Sequence, residues 1–223
     1  MKIYVPSSGA DDWARLLAEP VKHWRTGYSA RSLAHCWEAA QGFPPEVKKA
    51  LATCPALSSL EMLIGLPEHQ VHLPGGTRPS QTDLWVLARG RDGLCSIAVE
   101  GKVAEPFGPT IGEWLQEASL GKRERLSFLQ AQLGVTSISH SVRYQLLHRT
   151  VSAVLEAKRF GARHALLLVH SFSKEQHWFS DFSAFAEALG AHVTLDAFQH
   201  AATLSGIQLW LGWVRGDETF LTA

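Results

Sequence analysis

The chain is poor in cysteine and has no excess of either charge, and both observations restrict the classes of function that it can have. Its 223 residues include three cysteines, Cys36, Cys54 and Cys95, and its 21 basic residues balance 21 acidic ones. The cysteines share no metal-site spacing and follow no signal peptide, so we expect a reducing, cytoplasmic setting. Zero net charge disfavours a dedicated nucleic-acid coat protein, but it does not exclude a nuclease that gathers its basic residues on one face.

Long apolar runs and nucleotide-binding loops are also missing. No stretch approaches the ~20 apolar residues of a membrane span, so we expect no membrane partner. Dinucleotide, P-loop and serine-hydrolase functions find no support, because their glycine-rich motifs are absent. A histidine zinc site is disfavoured, since His69 and His72 lie three apart on a predicted strand and therefore face opposite sides.

What the chain does contain is an ordinary globular composition, with 46% hydrophobic and 19% charged residues. Its length fits one domain with a sizeable core. We expect a single domain over 1–223. It divides into a mainly helical N-terminal extension over 1–54, a core over 55–172, and a C-terminal helix and strand over 173–223.

Hydrophobic periodicity and turn residues predict the order of the elements. In chain order the patterns predict a strand at 2–5, helices from 11 and from 29 and at 46–53 and 57–66, strands at 69–73, 82–88 and 94–103, helices from 110 and at 123–133 and 141–160, a strand at 165–170, a helix at 174–189 and a strand at 207–214. The three central strands can form a meander, and the long helical crossover makes the next strand parallel to the third. The predicted fold class is therefore α/β (α+β), with a mixed central sheet flanked by helices.

The most informative residues lie on two neighbouring strands, between Thr82 and Lys102. Asp83 begins the first strand, among apolar residues that make a lone carboxylate costly. Glu100 and Lys102, two apart near the end of the second strand, project from the same face. Two further Glu-x-Lys pairs occur in predicted helices, where residues two apart diverge around the axis.

Two interpretations of these residues have about equal weight from the sequence alone. In one, Asp83 caps the preceding turn and Lys102 forms an ion pair with Glu100 or Asp83. In the other, the two carboxylates hold a divalent cation beside the ammonium group, and the site acts on a phosphodiester.

Within the predicted order helix, three strands, helix, strand, Asp83 followed by Glu100-Gly101-Lys102 resembles the PD-(D/E)XK nuclease superfamily. The resemblance covers residues 55–172 and implies a restriction endonuclease-like core. It implies that Asp83 and Glu100 are metal ligands, with the Gly101 carbonyl a further one, and that Lys102 is catalytic. The chain departs from the pattern at Thr82, where many members have proline.

The resemblance implies two further catalytic residues, Glu61 and Gln145. Glu61 matches an acidic residue that many members carry on the helix before the first strand. Gln145 matches a glutamine on the later helix, although its position ~135° from the apolar stripe favours an ordinary surface side chain.

The function expected from the resemblance is Mg²⁺- or Mn²⁺-dependent hydrolysis of phosphodiester bonds, in DNA more than in RNA. The basic clusters around Arg123 and Arg149 are candidates for contacts with a phosphate backbone, or for solvated helix faces. The alternative function is a catalytically inactive scaffold of the same fold that binds a protein or nucleic acid. The sequence leaves open whether the chain forms a homodimer.

Overall fold

The structure is a computed structural model that describes residue 3 and residues 8–117 and 119–223. The strand predicted at 2–5 lies outside these described residues except for Ile3, which forms an isolated parallel bridge with Gly65. None of the helices among the described residues has both the length and the apolar character needed to cross a bilayer.

Within the described residues, helices are followed by three strands, three helices, one strand, one helix and two further strands. The helices are α1 (Pro20–His23), α2 (Ser29–Ala40), α3 (Pro45–Ala52), α4 (Ile111–Trp114), α5 (Leu120–Gln132), α6 (Tyr144–Phe160) and α7 (Phe179–Ala188), with 3₁₀ helices at Ala10–Leu16 and Glu218–Thr222. The strands are β1 (Glu61–Val71), β2 (Ser80–Gly90), β3 (Gly93–Lys102), β4 (His164–Ser171), β5 (Ala197–Leu204) and β6 (Ile207–Arg215).

The strands form one mixed sheet in the order β1-β2-β3-β4-β6-β5. β1, β2 and β3 are an antiparallel meander, whereas β3–β4 and β4–β6 are parallel pairs. The predicted meander, the parallel fourth strand and the mixed sheet flanked by helices are therefore confirmed. β4 is buried along its whole length, as expected of a central strand that is covered on both faces.

Alternating side chains of β3 divide the core into two layers. Ile97 and Val99 pack with the cluster that contains α2 and α3, whereas Ala98 packs with the cluster around α5, α6 and α7. Glu100 follows Ala98 on the α6 face, because side chains two apart share a face. Gly101 lies on the other face, where a Cβ would press to 3.3 Å from the Leu33 side chain of α2.

The helix predicted at 57–66 is wrong, because residues 61–71 form the edge strand β1. Leu60, Leu63 and Ile64 have helical spacing, but pairing with β2 overrides that local preference. An edge strand also tolerates Pro67, because the side that lacks an N–H can face solvent instead of a neighbouring strand. Strand β1 therefore takes in most of the predicted helix and continues through the predicted strand at 69–73 as far as Val71.

The other edge strand, β5, is absent from the sequence-based prediction. It pairs antiparallel with β6 and is irregular between His200 and Ala202. Phe198 covers Gly212 of β6, where a Cβ would overlap its ring. The helix predicted at 174–189 begins only at Phe179, whereas α6 ends as predicted, with Gly161 in the left-handed conformation.

Candidate active site

Three acidic side chains lie in one row across the first three strands. The β2–β3 register pairs Leu84 with Val99, so the next step sets Asp83 opposite Glu100. The β1–β2 register in the same way sets Glu68 opposite Asp83. Like charges directly opposite each other on a sheet are destabilising, so this acidic row requires counter-charges or a cation.

Glu100 is the most tightly held member of the acidic row. Its Oε1 accepts hydrogen bonds from Lys102 Nζ at 2.7 Å and Gln145 Nε2 at 2.6 Å, and its Oε2 accepts one from Arg149 Nε at 2.8 Å. The side chain is 2% exposed. Burial acts to raise the pKa of Glu100, but Lys102 and Arg149 outweigh it and lower that pKa. Glu100 is therefore ionised at neutral pH.

Asp83 is more open than Glu100 and less fully paired. Its Oδ2 accepts a hydrogen bond from the Gly101 amide at 2.9 Å, and its Oδ1 lies 3.9 Å from Arg149 Nη2. About a fifth of the side chain, 21%, is exposed. Burial and the neighbouring Glu100 raise the pKa of Asp83 to about 7. Asp83 is partly exposed, only partly paired and has a raised pKa, so this carboxylate can still accept a cation as a partner.

Glu68 completes the acidic row from β1 and was not identified from the sequence. Its backbone has a φ of 52°, a conformation uncommon outside glycine. Its Oε2 accepts a hydrogen bond from Gln81 Nε2 at 2.7 Å. Burial and the charge of Asp83 raise the pKa of Glu68 to about 8. Asp83 and Glu68 therefore both titrate near neutral pH.

Glu61, which the sequence analysis placed on a helix beside the site, is instead the first residue of β1. It pairs with Arg89, six residues along β2 from Asp83. At ~3.4 Å per residue that separation is about 20 Å. Glu61 instead lines a separate surface recess with Leu63 and Arg91. The structure therefore does not bring Glu61 to this site, because the chain is extended where a helix was expected.

Helix α6 contributes Gln145 and Arg149, one turn apart and therefore on the same face. Gln145 is hydrogen-bonded to Glu100, so it is not an ordinary surface glutamine. Arg149 is buried and paired with Glu100, which makes it part of the site rather than a free backbone-binding residue. A spacing of four residues places Arg149 on the same helix face as Gln145, and this spacing is the sequence signal that could have identified Arg149.

The buried Lys102 side chain contacts both a carboxylate and an aromatic ring. Its Nζ lies 2.7 Å from Glu100 Oε1 and 4.8 Å from the centre of the Phe107 ring. The structure thus brings together Asp83, Glu100, Gly101, Lys102 and Gln145. Their individual roles as ligands and catalytic groups stay predictions.

A cavity of about 480 Å³ opens onto these side chains. Its charged side includes all three members of the acidic row together with Lys102 and Arg149. Its other walls come from residues 17–30, from residues 105–109 and from the start of α6. This volume is typical of a site for one small ligand.

Comparison with family models finds a domain of unknown function, DUF6946, which matches residues 6–218. The chain belongs to the DUF6946 family. Comparison with curated proteins finds no match, and comparison with solved structures finds none either. Membership of DUF6946 therefore describes the whole domain without assigning it an activity.

The donor atoms of this DUF6946 site fit a hard divalent cation. Carboxylate and carbonyl oxygens are the ligands that Mg²⁺ and Mn²⁺ prefer. Burial and neighbouring negative charge raise the pKa values of Asp83 and Glu68, and a cation would balance that charge. Arg149 currently supplies part of that balance, at 2.8 Å from Glu100 and 3.9 Å from Asp83.

A second group of ligand type lies in the opposite layer of the core. Cys36, Glu46 and His170 have ligand atoms that all lie within 4.8 Å of one another. His170 Nδ1 accepts a hydrogen bond from Trp37 Nε1 at 3.1 Å. Because an indole N–H only donates, neutral His170 carries its proton on Nε2, which lies 3.0 Å from Glu46 Oε1.

This protonation pattern explains the second group without a metal. A cation on His170 Nε2 would move the proton to Nδ1, where it would oppose the Trp37 N–H. All three cysteines are free and buried, and burial together with Glu46 raises the pKa of the Cys36 thiol. The hydrogen bonds therefore account for both ring nitrogens of His170, the Cys36 thiol and Glu46 Oε1.

Proposed function

We propose that this protein is a divalent-metal-dependent phosphodiesterase, a nuclease acting on DNA more than on RNA. The observation that carries the proposal is the convergence of Asp83, Glu100 and Lys102 on one cavity. Two carboxylates from adjacent strands meet an ammonium group there, at 2.7 Å from one of them. A purely structural ion pair would need only one carboxylate.

The proposal includes a restriction endonuclease-like core of the PD-(D/E)XK type. The described order of α3, an antiparallel meander, α6 and a parallel β4 supports it. In this assignment α3 takes the place of the helix that the sequence analysis expected at 57–66. Gln145 of α6 contacting Glu100 is consistent with the glutamine that some members carry on this helix.

Asp83, Glu100 and the Gly101 carbonyl would hold Mg²⁺ or Mn²⁺. When bound, the cation supplies positive charge beside the phosphate and lowers the pKa of water there. Lys102 Nζ stabilises negative charge that develops on the phosphate oxygens, since it is fixed by Glu100 and has little freedom to move.

Glu68 is suited to exchange the proton of the reaction. Burial and Asp83 raise its pKa to about 8 without a cation, and burial, the larger of the two causes, persists when a cation balances the charge of Asp83. A group that titrates near the working pH is the most effective general acid or base. Gln81 orients it by donating to Oε2 at 2.7 Å. We therefore assign proton transfer to Glu68, in place of the Glu61 that the sequence suggested.

The test is cleavage of a labelled oligonucleotide in Mg²⁺ or Mn²⁺, compared with EDTA. Asp83→Asn and Glu100→Gln should each lower the rate on the order of a hundredfold or more, with the fold intact by circular dichroism. Glu61→Gln is the matched control, since it removes an acid from the same meander about 20 Å away and should leave the rate unchanged. If Asp83→Asn and Glu100→Gln cleave the oligonucleotide as fast as Glu61→Gln does, the assignment is refuted.

The alternative function, a catalytically inactive scaffold that binds a protein or nucleic acid, has one observation in its favour. Lys102, Gln145 and Arg149 satisfy Glu100 without any cation. A thermal shift with Mn²⁺ separates the two functions. Stabilisation that disappears in Asp83→Asn supports the metal site, and no stabilisation in the wild-type protein supports the scaffold.

A further inference from the structure

The cavity is lined by both charged and apolar side chains. Apolar atoms come from Leu17, Pro106, Phe107, Pro109 and Tyr144. The acidic row with Lys102 and Arg149 lies on the charged side. A site of about 480 Å³ with apolar walls and a few converging polar groups is typical of a single small ligand.

The wall over residues 104–109 is fixed in place by three different elements. The Ser29 amide at the start of α2 donates to Glu105 at 2.8 Å, and Trp178 Nε1 donates to the Ala104 carbonyl at 2.9 Å. Arg143 Nη1 donates to the Gly108 carbonyl at 2.9 Å. These contacts hold this wall of the cavity in place before a substrate arrives.

The reacting groups are recessed in this fixed cavity. The side chains of Glu100 and Lys102 are 2% and 5% exposed. A nucleotide phosphate that contacts them lies inside the cavity and brings its neighbouring sugar and base to the cavity walls. A stacked base pair cannot do so without opening, whereas an unpaired nucleotide can.

The basic residues near the cavity are already engaged within the protein. Arg125 donates to the carbonyls of Leu73, Pro74 and Gly76, and Lys122 donates to the Trp114 carbonyl. Arg143 and Arg149 form ion pairs with acidic side chains. Tracking a duplex takes on the order of 6–10 phosphate contacts, and neither these four side chains nor the zero net charge provides them.

We infer that the site takes one unpaired nucleotide unit at a time. The base and sugar lie against the apolar wall, and the phosphodiester lies at Asp83, Glu100 and Lys102. This inference rests on the proposed function and narrows its substrate to single-stranded nucleic acid or a small nucleoside phosphodiester. Base pairs of an intact duplex are excluded by the fixed walls.

The first experiment compares three probes in Mn²⁺ with the wild-type protein. The probes are thymidine 5′-(4-nitrophenyl phosphate), a single-stranded 12-mer, and a covalently closed duplex circle. We expect the ester and the single strand to be cleaved, and the circle to be nicked at least a hundredfold more slowly per bond. Nicking of the circle as fast as the single strand, abolished by Asp83→Asn, would overturn this inference and leave the proposed function standing. No cleavage of any probe would overturn both.

A second experiment tests the apolar wall with two substitutions in the same N-terminal segment. Leu17 lines the cavity, whereas Val21 does not and is 87% exposed. Leu17→Ser should raise the KM for the thymidine ester about tenfold with kcat changed less than twofold, and Val21→Ser should change neither. Thermal unfolding of both variants checks the fold. An unchanged KM in a folded Leu17→Ser variant would overturn the placement of the base.

Discussion

Replacing Asp83 with asparagine should make the metal-free protein more stable at pH 8, although it removes a residue central to the site. Burial and the charge of Glu100 raise the pKa of Asp83 from 3.8 to about 7. The folded state therefore prefers the protonated acid, so the free energy of unfolding falls as pH rises from about 4 to about 7. The shift corresponds to at most about 4 kcal/mol.

The measured gain should be smaller than that limit, because Glu68 shares the titration. Glu68 has a pKa of about 8 and loses its nearest like charge in the variant. We expect Asp83→Asn to gain about 1–3 kcal/mol at pH 8 in EDTA, and close to nothing at pH 4.

Urea unfolding at the two pH values, with and without Mn²⁺, is the assay. In Mn²⁺ at about a hundred times the dissociation constant, the wild-type protein should gain about 2.7 kcal/mol and Asp83→Asn almost none. A variant that is less stable than wild type at pH 8 in EDTA would refute the reasoning. So would equal stabilisation of the two proteins by Mn²⁺.

Three further substitutions test the surrounding structure by urea or thermal unfolding. Arg125→Met should destabilise by about 1–3 kcal/mol because it removes three hydrogen bonds, one of which satisfies the carbonyl of the buried Leu73. The exposed Arg123→Met should change stability by less than about 0.5 kcal/mol, and equal effects of the two substitutions would contradict this. Gly212→Ala should cost about 1–3 kcal/mol because its Cβ would overlap a cross-strand phenylalanine ring, and a neutral result would contradict the packing of β5. The pKa of Glu46, which burial would raise, is lowered by His170, so the stabilisation it gives is present above about pH 4.5 and lost in more acidic solution. The deficit of Glu46→Gln relative to wild type should therefore shrink below pH 4, and a deficit independent of pH would contradict the Glu46–His170 hydrogen bond.

The central strands could be predicted from the sequence because their own residues specify them. β3 and β4 are buried on both faces, and their apolar runs indicate strand whatever the surroundings. The two wrong or missing strands, β1 and β5, are the two edges of the sheet. An edge strand pairs on one side only, so its sequence carries a weaker signal and its pairing partner decides the outcome.

The same limit explains which site residues the sequence revealed. Asp83, Glu100 and Lys102 lie on adjoining strands of one hairpin, so local register brings them together. Glu68 reaches Asp83 through the pairing of β1 with β2, and it falls between the predicted helix at 57–66 and the predicted strand at 69–73. Arg149 reaches Glu100 through the packing of α6 on the sheet, a contact across 49 residues that no local pattern reports.

Crystals soaked in Mn²⁺ and measured near the manganese absorption edge test the central claim most directly. The account predicts one anomalous peak between Asp83 and Glu100, at oxygen-ligand distances of about 2.0–2.6 Å, with Arg149 moved away from Asp83. A peak at Cys36, Glu46 and His170 alone, or none at the acidic row, would contradict a metal-dependent site.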